Sequence, residues 1–93
     1  MTPLEKEIEE KLTKAVKRRG GLCLKWVCPG WAGVPDRILL LPRGRVYFVE
    51  TKRPKGGVRS SRQKTWHRIL ARLGFQCWVA WTVEDVEQIA GSI

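Results

Sequence analysis

Apolar residues open the chain at helical spacing: Leu4, Ile8, Leu12, Ala15 and Val16 form one stripe within the first nineteen residues. Thr2 is placed to cap that helix, Pro3 suits its first turn, and Glu5 stands three residues after Thr2, as in a capping box. Gly20-Gly21 ends it. The period then falls to two. From Leu22 to Cys28, Leu22, Leu24, Trp26 and Cys28 alternate with Cys23, Lys25 and Val27, which predicts a strand. Pro29 to Pro35 is a loop of turn formers. Arg37 to Leu41 is an aliphatic strand, Pro42-Arg43-Gly44 a hairpin-length turn, and Arg45 to Lys52 a second strand built on Val46-Tyr47-Phe48-Val49.

A basic Gly/Pro loop, Arg53 to Arg59, leads to a helix capped by Ser60 or Ser61. It runs to about Leu73 with Trp66, Ile69, Leu70 and Leu73 on its inner face, and Gly74 stops it. Phe75 to Trp81 is a further strand. Thr82 caps a last helix, Val83 to Ala90, with Glu84 and Asp85 in its favourable first turn. The order α-β-β-β-α-β-α, a hairpin followed by a helical crossover, predicts an α/β class with a mixed sheet flanked by helices. Ninety-three residues without repeat or linker suit a single domain, 1–93, with one modest core.

Several classes fall away at this point. No unbroken apolar run, Ile38 to Leu41 included, comes near the ~20 residues of a membrane span, and the first residues lack a secretory pattern. Cys23, Cys28 and Cys77 are an odd set without CxxC spacing, and one histidine completes no zinc set. The expectation is an intracellular, cytoplasmic protein without membrane partner, disulfide framework or organic cofactor.

Charge adds a positive signal. Eighteen Lys+Arg against nine Asp+Glu leave a net +9, which suits a polyanion, and nucleic acid is the commonest one. The basic residues cluster: Lys14, Lys17, Arg18 and Arg19 in one group, Lys52, Arg53, Lys55, Arg59, Arg62, Lys64 and Arg68 in another. Arg53, Lys55, Arg59, Arg62 and Lys64, with Lys25, are the expected phosphate-contacting set.

Acidic residues set among apolar neighbours carry the chemistry. Asp36 follows Pro35 at the start of an aliphatic strand, and Glu50 and Lys52 stand two apart at the end of the next. Strand side chains alternate, so Glu50 and Lys52 share a face, and hairpin pairing brings Asp36 to a neighbouring strand end. Carboxylates held that close repel unless a cation neutralises them. Hard Mg²⁺ or Mn²⁺ prefers such oxygens, and Thr51 can add its backbone carbonyl. Lys52 is then placed to orient the attacking water or steady charge developing on phosphorus.

Val34-Pro35-Asp36, a hairpin and Glu50-Thr51-Lys52 together resemble the PD-(D/E)xK nuclease signature. With Gly33 and the downstream Gln63, the chain resembles more narrowly the VRR-NUC family, the virus-type replication-repair nuclease domain, over nearly its whole length. That resemblance implies a restriction-endonuclease-like fold and a Mg²⁺- or Mn²⁺-dependent endonuclease. It implies Asp36 and Glu50 as metal ligands, Lys52 as the catalytic lysine and Gln63 as a supporting residue. It also implies a first-helix glutamate near the metal, directly or through water. At ~100° per residue Glu5 lies nearer the centre of the apolar stripe than Glu9, while Glu7 and Glu10 point away, so Glu5 is the first choice and Glu9 the second. The compact form resembles stand-alone phage members, which implies a homodimer cutting branched DNA such as a four-way junction. Trp31, Val34, Trp78 or Ile93 are candidates for its interface.

Plainer roles stand beside these. Asp36 suits local amide bonding after a proline, Glu50 and Lys52 suit a same-face ion pair, and Gln63 alone suits a first-turn surface position. His67, one turn after Gln63, suits a surface or partly buried structural role more than a phosphate contact. Trp26, Trp66, Trp78 and Trp81 suit packing, whereas Trp31, in its Gly/Pro loop, suits either base stacking or a lid over the core. Two other functions compete: a noncatalytic basic nucleic-acid-binding module, and a nuclease subunit that needs a partner for activity.

Overall fold

A computed structural model describes residues 4–93. Its elements are α1 (Glu5–Arg18), β1 (Leu22–Lys25), β2 (Arg37–Leu41), a 3₁₀ turn (Pro42–Gly44), β3 (Arg45–Thr51), α2 (Ser61–Arg72), β4 (Gln76–Ala80) and α3 (Val83–Ser92). This is the expected order. The sheet runs β1-β2-β3-β4, antiparallel through β3, with β4 parallel to β3 across the α2 crossover. None of the described helices is long and apolar enough to cross a membrane.

Alternation along the strands divides the molecule. Leu39, Val49 and Ala80 point to one face, where Ile8, Leu12, Ala15 and Val16 of α1 and Val86 and Ile89 of α3 close a single core. Each fully buried aliphatic side chain contributes roughly 1.5–3 kcal/mol, and Ile8, Leu12 and Val16 are fully buried, so α1 is held firmly along that stripe. The opposite face carries Phe48, which packs on Trp26 at 4.9 Å and Phe75 at 5.4 Å, and Glu50, which faces α2.

Helix starts agree well with the chemistry. Ser60 and Thr82 each form a complete capping box, with Gln63 and Asp85 as the reciprocal partners. The Thr2 cap and the Pro3 first-turn position lie outside the described residues; α1 begins with Leu4 in its cap position. Leu4 is 61% exposed, so the stripe effectively starts at Ile8.

Two expectations are corrected. β1 ends at Lys25 instead of Cys28: the Trp26 N–H still donates to the Asp36 carbonyl at 2.9 Å, after which turns carry the chain off the sheet. Leu73 is 66% exposed because α2 stops at Arg72 and Gly74, at φ +91, swings the chain away. Trp78 and Ile93 pack partly buried against the core, and Val34 is half-buried.

Candidate active site

Pairing of Arg37 with Val49 puts Asp36 one step past the ladder, level with the end of β3. With no strand partner there, the Thr51 N–H donates to Asp36 Oδ1 at 2.9 Å, and the Thr51 hydroxyl donates to Oδ2 at 2.5 Å. The same hydroxyl oxygen lies 3.1 Å from Glu9 Oε1. Arg37, which follows Asp36 and so faces α1, closes the group with Nη2 at 3.1 Å from Glu9 Oε2. Glu5, one turn before Glu9, completes a trio with Glu9 and Asp36 whose ligand oxygens lie within 4.8 Å of one another.

This trio is short of positive charge. A hydroxyl carries one hydrogen and cannot donate to two carboxylates at once, so with both ionised one contact sets oxygen against oxygen. Burial pushes the Asp36 carboxyl above its ordinary range and the Glu9 charge pushes it further, against the lowering effect of the Thr51 hydrogen bonds. Burial likewise raises Glu5, with Asp36 and Glu9 adding to it and Lys52 and Arg53 opposing. A proton relieves the strain at low pH. An all-oxygen donor set of this kind suits a hard divalent cation.

Glu50 is placed differently. It is 1% exposed and on the face opposite Thr51, with Oε2 3.2 Å from Arg59 Nε and Oε1 3.3 Å from His67 Nε2. Burial raises the cost of its charge, but His67, Arg59 and Lys52 outweigh that and hold the carboxyl below its ordinary value. Burial and the Glu50 charge push the neighbouring Cys77 thiol up to about 12. The structure therefore joins Asp36 to Glu5 and Glu9, while Glu50 is not in the trio. The reason is the period of a strand: successive residues Glu50 and Thr51 point apart, and the Asp36 carboxylate bends to Thr51.

Lys52, half-buried, lines an open cleft of about 430 Å³ with Glu5, Arg53 and Gly57. Gln63 closes the α2 capping box, its Oε1 accepting the Ser60 N–H at 2.8 Å and its own backbone N–H donating to Ser60 Oγ at 3.1 Å. Of the expected phosphate set, Lys25, Arg53, Lys55, Arg62 and Lys64 are exposed, whereas Arg59 is taken by Glu50. Thr51, expected to offer its carbonyl, supplies its amide and hydroxyl, and Arg37, which stands in no motif, joins the site. Its signal was parity: one residue after Asp36 on an alternating strand, it had to face α1.

The Pro29–Pro35 loop docks on the start of α2. Trp31 is 62% exposed and meets Trp66 edge-on at 5.8 Å, and Trp66 Nε1 donates to the Ala32 carbonyl at 3.1 Å. At Gly33, φ +90, a Cβ would fall 2.6 Å from Arg62 Cβ and 2.7 Å from its carbonyl carbon, so only glycine lets the loop close and deliver Asp36.

Comparison with known proteins agrees with this architecture. A solved structure described as a VRR_NUC domain matches with a TM-score of 0.87 at 25% identity, covering 94% of each chain. "Putative nuclease p44" of Acyrthosiphon pisum secondary endosymbiont phage 1 is 43% identical over 72 residues, 77% of this chain and 76% of the relative. No family model matches the chain.

Proposed function

The chain belongs to the VRR-NUC nuclease family, and on that premise we propose that it is a Mg²⁺- or Mn²⁺-dependent endonuclease hydrolysing phosphodiester bonds of branched DNA as a homodimer. The observation that carries this is the Glu5–Glu9–Asp36 trio beside Lys52 in an open cleft. A divalent cation held by Asp36, the first-helix glutamates, Glu50 and the Thr51 carbonyl would polarise the scissile phosphate and lower the pKa of the attacking water. Lys52 presents its ammonium to the same cleft and steadies negative charge on phosphorus. Arg37 and Thr51 hold Glu9 and Asp36 in place, which supports the ligand shell from behind. Arg53, Lys55, Arg62, Lys64 and Lys25 follow the phosphate backbone, giving salt-sensitive binding that reads shape more than sequence.

Incubation with linear, flapped, single-stranded and four-way DNA, in Mg²⁺, Mn²⁺ or EDTA, tests the reading. Metal-dependent cutting confined to the four-way substrate supports it. Binding without cutting in every condition favours a basic binding module instead.

For the homodimer the supporting feature is the face of β1 away from α1, where Leu22 is 59% and Leu24 44% exposed on an edge strand. Paired on a twofold axis, these leucines meet their own copies. Leu24→Lys is expected to weaken the dimer about tenfold or more, at roughly 1.5–3 kcal/mol per buried leucine. Sedimentation velocity checks this, and a wild-type chain that sediments as a monomer contradicts it.

A further inference from the structure

Glu50 carries a contradiction that the site itself does not resolve. It is 1% exposed, yet its Oε1 has no aligned hydrogen-bond partner, and neither has His67 Nε2 beside it at 3.3 Å. The His67 and Arg59 charges offset the burial of this carboxylate, but an oxygen without an aligned donor keeps its capacity for a stronger partner. Its other oxygen is held by one guanidinium nitrogen, Arg59 Nε, although Arg favours a two-pronged grip on carboxylate or phosphate. Arg59 is the last residue of the basic loop before the α2 cap, and its side chain is 23% exposed, so its tether can be reached from outside.

We propose that Arg59 is a substrate-sensing gate on Glu50: in the free protein its guanidinium keeps the carboxylate beside His67, apart from the Glu5–Glu9–Asp36 trio, and the phosphates of bound DNA draw it off so that Glu50 turns to join the trio. The gate rests on the nuclease reading above and adds the order of events. Arg59 is a positioning residue, acting through Glu50. The oxygen set is completed only when a phosphodiester backbone lies along the basic loop, so unproductive hydrolysis elsewhere is suppressed. DNA and cation then strengthen each other's binding through one side chain, by the same factor in both directions.

Mn²⁺ titration by calorimetry, without DNA, tests the gate. Arg59→Gln is expected to tighten Mn²⁺ binding about fivefold or more over the parent. Arg53→Gln removes an equal charge from the same loop and the same cleft as Glu5, and is expected to change affinity about twofold or less, as solvent-screened charges do. In the double variant Arg59→Gln/Glu50→Gln the gain disappears. Equal effects of Arg59→Gln and Arg53→Gln, or a gain that survives in the double variant, overturn the gate. Should Arg59→Gln fail to fold by circular dichroism, Arg59→Lys, which keeps the charge but not the Nε contact, is expected to show a smaller gain, and no gain overturns the proposal. Absence of Mn²⁺ binding in every variant, with Asp36→Asn no different from the parent, sinks the metal-dependent reading and the gate with it.

Discussion

Asp36→Asn is expected to cut metal-dependent cleavage by orders of magnitude while making the metal-free protein more stable. Asparagine keeps an acceptor for the Thr51 N–H and adds a donor for the Thr51 oxygen, which frees the single hydroxyl hydrogen for Glu9. It also removes one of three mutually repelling carboxylates. The gain is on the order of 1 kcal/mol, about 4–8 °C in Tm for a chain of this size. Cleavage falls on the order of 10²–10³-fold, the usual cost of deleting one preorganised electrostatic group, and added Mn²⁺ no longer raises Tm as it does for the parent.

The pH dependence follows with a definite sign. Asp36 and Glu5 have folded pKa values above their ordinary 3.8 and 4.5. The folded state therefore holds protons more tightly, and this contribution to stability is present at low pH and lost as pH rises through the folded values. Glu50 works oppositely: its folded pKa is below 4.5, so its contribution is present above that value and lost as pH falls through the depressed one. Metal-free melts should accordingly decline as pH rises from the ordinary carboxylate range through the raised Asp36 and Glu5 values in the parent, decline less in Asp36→Asn, and decline less again for the parent in Mn²⁺.

Lys52→Ala is the second large expectation, a loss of about 10²–10⁴-fold in the single-turnover cleavage rate with junction affinity nearly unchanged. The ammonium is one charge among many that face the backbone, so binding hardly depends on it, whereas in the cleft holding Glu5 it is the half-buried cation, Lys6 and Arg53 being exposed and more screened. Its removal also takes away a charge that favours ionised Glu5, so residual activity should move to higher pH. A variant that binds junctions poorly but cuts at the parental rate once bound would assign Lys52 to docking alone.

The local chemistry of this chain was largely legible from its order of residues. The Ser60 and Thr82 caps, the β2–turn–β3 hairpin and the helical crossover rest on short-range rules of spacing and backbone preference, and the structure follows them. The site was legible in part. Asp36 stood out as a carboxylate at a strand start, and angular position on α1 separated Glu5 and Glu9 from Glu7 and Glu10. Angular position did not rank Glu9, because its standing depends on Arg37 and Thr51, 28 and 42 residues away. Gln63 illustrates competition at short range: a side chain that suits an active site also suits a capping box, and its Oε1 takes the Ser60 N–H. Glu50 illustrates it at long range, since the loop that carries Arg59 over the sheet has no periodicity from which its landing point could be read.

One measurement bears most directly on the central claim: the anomalous difference density of crystals grown with Mn²⁺. The account predicts a peak about 2.0–2.2 Å from an Asp36 carboxylate oxygen and touching a first-helix glutamate, weakened or lost in Asp36→Asn crystals. Density that leaves these carboxylates bare at saturating Mn²⁺, or that settles on other residues, would contradict it.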